Sequence, residues 1–93
     1  MEFEWDDAKS DACFLHRGFD FEYAARAFLD PDRTVTRDWR WDYGEDRYRL
    51  LGQIEGRVFV LIYTTRGSVI RLISARKANG KEIHEYEQNA SQG

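Results

Sequence analysis

Cysteine is nearly absent from this sequence: Cys13 is the sole one in 93 residues. A lone thiol excludes an intramolecular disulfide and a cysteine-built zinc site, so nothing covalent staples the fold and a reducing compartment is the simpler expectation. Proline also occurs once, as Pro31, and no repeat, linker or low-complexity block interrupts the chain. Long apolar runs are missing. The longest, Val58 to Tyr63, is about a third of what a membrane-spanning helix needs. The start, Met-Glu-Phe-Glu-Trp, is acidic and no apolar segment follows it, unlike a secretion signal. A soluble, cytoplasmic protein is therefore expected. The length leaves room for one domain around one core, spanning 1–93, with 88–93 as a frayed tail.

What is present can build that core. Apolar residues at 42% exclude a disordered chain despite the 33% that are charged. The net charge of −3 argues against wholesale coating of nucleic acid, but the charge is unevenly placed. Residues 1–47 hold 13 acids and 7 bases, whereas 48–93 hold 4 acids and 7 bases. From Arg66 to Lys81 there are Arg66, Arg71, Arg76, Lys77 and Lys81 and no acid. A local basic surface binds polyanions whatever the total charge, because potential is set within a Debye length of about 10 Å. A solvated basic face is the competing reading.

The periodicity is helical at both ends and strand-like between. Trp5, Ala8, Ala12 and Leu15 predict a first helix from Asp6 or Asp7 to about His16, ending before Gly18. Asp20 is a good N-cap for a second, with Phe21, Ala24, Ala25, Phe28 and Leu29 as its buried stripe and Asp30-Pro31 as its end. Alternation then begins with Val35, Trp39 and Trp41. Turn signals at Tyr43-Gly44, Glu55-Gly56 and Arg66-Gly67 divide four antiparallel strands, at about 33–42, 45–54, 57–65 and 68–74. A last helix follows Ser74, with apolar points at Ala78 and Ile83 to Tyr86. The expected architecture is α+β, in the order α-α-β-β-β-β-α.

Two-residue turns would fix the register. One face would carry Val35, Trp39, Trp41, Leu50, Leu61, Tyr63 and Leu72 and pack against helices. The other would align Arg49, Ile62 and Arg71 in one cross-strand row and Arg40, Arg47 and Thr64 in the next. Guanidiniums set side by side are unfavourable unless an anion joins them, either a bound polyanion or the carboxylates of Asp38, Glu45 and Glu82. His16 and His84 are far apart, so no metal site is expected, and no glycine-rich phosphate loop or Ser-His-Asp order occurs.

Particular residues resemble a known family, the BrnT toxins of type II toxin-antitoxin systems. The matching segments are Phe3-Glu4-Trp5-Asp6 with Lys9, Gly18, Phe21-Glu22 with Ala24, Asp30-Pro31, Gly44-Glu45-Asp46-Arg47 with Gly52, and Tyr63-Thr64 with Arg66. The most specific is Ile70-Arg71-Leu72-Ile73-Ser74-Ala75-Arg76-Lys77-Ala78, with Glu82 and Tyr86 beyond. One segment departs: the family pattern Asn-x-x-Lys-His-Gly is replaced by Cys13, His16 and Arg17 before Gly18, so the basic and imidazole groups are reversed. The resemblance implies a RelE-like fold, RNA cleavage that arrests translation, and neutralisation by a BrnA-like antitoxin. That antitoxin would bind DNA and form a heterotetramer of two toxins and two antitoxins.

Cleaving RNA without a metal or cofactor requires the ribose 2′-OH to attack the adjacent phosphorus, and arginine suits the developing charge because its planar fork matches phosphate oxygens. Arg47, Arg71 and Arg76 are the expected catalytic cations, with Glu45 and His16 as proton carriers. Arg66, Lys9, Arg49, Lys77 and Tyr86 are expected to bind RNA, Tyr86 being a third candidate proton carrier. Structural roles compete with each: a helix C-terminus stabilises His16 as a cation, Glu45 pairs with Arg47 or Arg66 on a turn, Ser74 caps the last helix, Cys13 packs a helix, and the three tryptophans fill core or edge. Stacking of an RNA base on Trp39 or Trp41 is the alternative, set below packing because the register puts both on the helix-packed side. A non-catalytic nucleic-acid-binding module, or a protein-interaction module, would use the same basic face.

Overall fold

The structure, a computed structural model, describes residues 1–92, with side chains to residue 90. In chain order the described elements are β1 (Glu2–Glu4), α1 (Asp7–Arg17), α2 (Phe21–Ala24) running into a 3-10 turn (Ala25–Leu29), β2 (Thr34–Arg37), β3 (Tyr48–Ile54), β4 (Arg57–Arg66), β5 (Val69–Lys77) and α3 (Gly80–Gln92). The sheet has five strands in the order β1-β5-β4-β3-β2, parallel only between β1 and β5. The α+β class is as expected. The four-stranded antiparallel sheet is not: β1 extends it by one short parallel edge strand.

The caps explain the helices. Asp6 accepts the Lys9 N–H at 3.1 Å, and the N–H of Gly18, the C-cap of α1, returns to the Phe14 carbonyl. Asp20 accepts from the Tyr23 N–H at 2.9 Å. Asn79 and Glu82 form a reciprocal capping box, each side chain accepting the other's N–H at 2.9 Å, and so start α3. That box corrects the expectation that helix follows Ser74. β5 continues to Lys77, so Ser74 is an exposed strand residue and not a cap. α3 runs on helically through 88–92, where a frayed tail was expected; Gly93 lies outside the described residues.

Helices cover both faces of the sheet. On one, Cys13, Phe19, Phe21, Ala24, Ala27 and Phe28 pack with Leu50, Ile54, Phe59, Leu61, Tyr63, Leu72 and Ala75. On the other, Tyr86 of α3 packs with Leu51, Val58 and Val60. Two close approaches tie the layers together. Gly52 faces the 3-10 turn so tightly that a Cβ there would stand 2.6 Å from the Ala27 carbonyl oxygen. Buried Asp30 accepts the Gln53 N–H at 2.7 Å, the Asp32 N–H at 2.9 Å and the Tyr86 hydroxyl, joining β3 to α3.

The register departs from expectation at two of three hairpins. Between β3 and β4 it is as read, Ile54 opposite Arg57, because Glu55-Gly56 makes a two-residue turn with both φ positive, 50° and 83°. Between β2 and β3 the link is the ten-residue segment 38–47, so Thr34 faces Leu51 and Arg40 and Arg47 lie outside the strands. Between β4 and β5 the turn is Gly67-Ser68, and a bulge past Ile62/Tyr63 brings Ser74, not Arg71, opposite Ile62. Because the bulge shifts the alternation, Leu72 and Ala75 both reach the same core.

Several expected core positions are on the surface. Trp39 and Trp41 are 76% and 71% exposed, and Val35, Leu15 and Leu29 are exposed too. The buried side of α1 is Ser10 and Cys13 instead; the Ser10 hydroxyl accepts the Phe21 N–H and the Cys13 thiol donates to the Ala75 carbonyl.

Candidate nucleic-acid interface

Four strands meet in one row on the α3 side: Thr36 of β2 faces Arg49 of β3, Arg49 faces Ile62 of β4, and Ile62 faces Ser74 of β5. In the next row Val60 faces Arg76. These residues floor a groove of about 710 Å³, walled on one side by Asn79, Lys81, Glu82 and Glu85 at the start of α3 and on the other by Arg37, Asp38, Trp39 and Arg40. Five cations therefore line it against three carboxylates.

Each guanidinium there has an acidic partner, which is how the fold tolerates their proximity. Arg76 makes a two-pronged contact to Glu82 at 2.7 Å per bond, and Arg49 reaches Glu85 at 2.7 Å and Glu82 at 4.0 Å. Arg40 binds Asp38 through Nε at 2.9 Å and a terminal nitrogen at 3.0 Å. The Arg76 hydrogen bonds hold the Glu82 carboxyl at about 2, against the effect of burial. Those from Arg40 hold Asp38 at about 2. Arg40 stands near enough to Arg76 to oppose its charge. The pairs leave Arg40 and Arg76 accessible, with side chains 66% and 41% exposed, and Arg49 less so at 26%.

The other expected site residues are not all gathered here. Arg47, Glu45 and Arg66 form a second cluster, with Glu45 3.3 Å from Arg47 and 3.9 Å from Arg66, and Arg47 lies over the Tyr43 ring. Arg71 is opposite Thr64 and pairs with Glu4 of β1 at 2.8 Å, so it leaves the row in which it was expected. Lys9, His16 and Arg17 line a cleft on the α1 side with Ile73, Ser74 and Ala75. Ser74 thus borders both that cleft and the groove. Lys77 lies at the end of β5 beside Arg57. Tyr86 is 5% exposed, and burial together with its bond to the Asp30 carboxylate pushes its hydroxyl far above the usual tyrosine range.

Trp39, Arg40 and Lys81 were not among the expected site residues: Trp39 was set on the helix-packed side, and Arg40 was placed in the arginine rows without a role of its own. Nothing in alternation distinguishes a strand from the irregular 38–47 segment, whose shape comes from side-chain bonds to Asp38. Lys81 was visible only as part of the acid-free run. Among the described residues no three His, Cys, Asp or Glu side chains cluster as metal ligands, and no helix is long and apolar enough to cross a membrane.

Arginines from three segments of a small α+β protein thus share one exposed groove, an arrangement whose chemistry suits a polyanion. A family model described as "Ribonuclease toxin, BrnT, of type II toxin-antitoxin system" matches residues 5–82. The chain belongs to that BrnT family of ribonuclease toxins, whose type II systems pair a toxin with a protein antitoxin. No curated protein matches it.

Proposed function

We propose that the chain is a metal-independent endoribonuclease that arrests translation and works in the groove between α3 and the 38–40 segment. The observation that carries this is the convergence of Arg40, Arg49 and Arg76. A phosphodiester entering the groove meets fixed forks whose charge never titrates away, and stabilisation of developing charge by such groups is often the largest catalytic contribution. Glu82 and Glu85 hold Arg76 and Arg49 in place, as positioning residues. Each guanidinium keeps further N–H donors for phosphate oxygens beyond those its carboxylate takes.

The 2′-oxygen attacks phosphorus as its proton passes to a base, the bond from phosphorus to the 5′-oxygen breaks, and that oxygen takes up a proton. The products are a 2′,3′-cyclic phosphate and a 5′-hydroxyl. His16, in the cleft on the α1 side, and Glu45, paired with Arg47 and Arg66, lie outside the groove, so neither is assigned a proton transfer at the scissile phosphate. RNA flanking the cleaved bond is assigned to Lys9 on the far side of Ser74 and to Arg47 and Arg66 beside Glu45. Arg71 serves the β1 edge through Glu4, and Tyr86 anchors α3; neither is placed at the scissile phosphate.

In a cell the chain would act in the cytoplasm, with a BrnA-like antitoxin that forms a heterotetramer of two toxins and two antitoxins. The RelE-like fold implied by resemblance fits the helix-covered sheet. The test is to incubate purified protein with single-stranded RNA in excess chelator and to identify the new ends. Cyclic phosphate and 5′-hydroxyl ends support the reading; intact RNA that is merely bound, with salt-sensitive affinity, replaces it with a non-catalytic binder.

A further inference from the structure

Two large aromatic side chains standing in water need a reason, because indoles are among the residues most strongly buried on average. Trp39 and Trp41 sit on the segment between β2 and β3, and that segment is pinned. The Asp38 carboxylate, 3% exposed, accepts the Arg40 N–H, two Arg40 guanidinium bonds and the Tyr43 hydroxyl, while the Asp38 N–H donates to the Arg47 carbonyl at 2.8 Å. Arg37 pairs with Asp46 across it. Trp39 is therefore held out by a braced loop. The Arg37 guanidinium lies over its ring, 4.4 Å from the centroid, and with 76% of the residue exposed the opposite ring face is open. Trp39 also lines the arginine groove, beside Arg40, Arg49 and Arg76.

We infer that Trp39 is a base-stacking subsite for single-stranded RNA, receiving an unpaired base next to the phosphate held by the groove arginines. Every base has a π face, and a guanidinium already stacked on one side of an indole leaves the other for a base, so the subsite binds by stacking with little sequence preference. A duplex cannot use it, because its base faces are already stacked on their neighbours. The groove's excess of cations over carboxylates favours RNA as the occupant over an acidic-poor protein surface. The inference rests on the proposed ribonuclease reading and names the form of RNA that the site takes.

The test uses the full chain and a short fluorescently labelled RNA made resistant to cleavage by 2′-O-methyl groups, both single-stranded and annealed to its complement. Trp39→Ala should weaken the single strand about tenfold, the loss expected for one stacked base, while Trp39→Phe restores most of it and duplex binding is unmoved. On cleavable single-stranded RNA, Trp39→Ala should raise KM and keep kcat. Equal affinities for wild type, Trp39→Ala and Trp39→Phe overturn the subsite even if the wild type cleaves. If the wild type fails to cleave but the Trp39→Ala loss is seen, the ribonuclease reading fails and the subsite stands. Loss of antitoxin neutralisation in Trp39→Ala with RNA affinity unchanged assigns the indole to a protein partner and overturns it too.

Discussion

Replacing Glu82 by glutamine isolates the ion pair on which the groove is built. Glutamine has the same shape and still accepts the Asn79 N–H, so the capping box of α3 survives. What is lost is the charged partner of Arg76. At about 1.4 kcal/mol per pH unit, the fall of the Glu82 carboxyl from 4.5 to about 2 sets a ceiling of roughly 3.4 kcal/mol on what its ionised form contributes to stability. Glu82 is 13% exposed but the Arg76 side chain is 41% exposed, so water screens the pair and about 1–2 kcal/mol is the expected size. Glu82→Gln should then lower the thermal midpoint at neutral pH by roughly 5–15 °C. The sign of the pH dependence follows from a folded-state pKa depressed below the unfolded one. The contribution is fully present above about 4.5 and fades as pH falls towards about 2. Urea unfolding of wild type and Glu82→Gln across that window should show their stabilities converging in acid. A difference between the two proteins that stays constant from neutral pH down to about 2 would refute the assignment.

Other consequences are equally concrete. Gly52→Ala drives a Cβ to 2.6 Å from the Ala27 carbonyl oxygen and should cost about 1–3 kcal/mol in a denaturant titration. Asp30→Asn and Tyr86→Phe act through one shared hydrogen bond, so a double-mutant cycle should return a coupling of about 1–2 kcal/mol; strict additivity would mean that Tyr86 does not anchor α3 through Asp30. Trp41→Ser removes an indole that is 71% exposed, and stability should change by no more than about 0.5 kcal/mol, whereas a core tryptophan would cost several times that.

How much of this was legible in the sequence depended on whether the relevant physics was local. The β3–β4 hairpin was readable because Glu55-Gly56 can adopt two positive φ values in succession, which leaves one register. The caps at Asp6 and Asp20 were readable for the same reason. β1 was not: three residues show no period, and their pairing with β5 joins positions far apart in the chain. Trp39 and Trp41 alternate with polar neighbours as a strand would, yet bonds to Asp38 bend that segment out of the sheet. The turn at Gly67-Ser68, one residue later than the Arg66-Gly67 signal, moves Arg71 from Ile62 to Thr64, and the β5 bulge, which involves no glycine and leaves no composition signal, then sets Ser74 rather than Ile73 opposite Ile62. Arg49 and Arg76 were identified among the arginines and do share the groove. Their carboxylate partners on α3 depended on which face of the sheet Tyr86 would cover, a tertiary choice.

Everything functional rests on the groove guanidiniums acting on a phosphodiester. The most direct measurement is the single-turnover rate of RNA cleavage by wild type and by an Arg49→Ala/Arg76→Ala variant with unchanged circular dichroism, both with saturating enzyme and chelator. A fall of about a hundredfold or more is predicted, the size expected when charge-stabilising groups are removed from a transition state. A rate equal to that of the wild type would contradict the account.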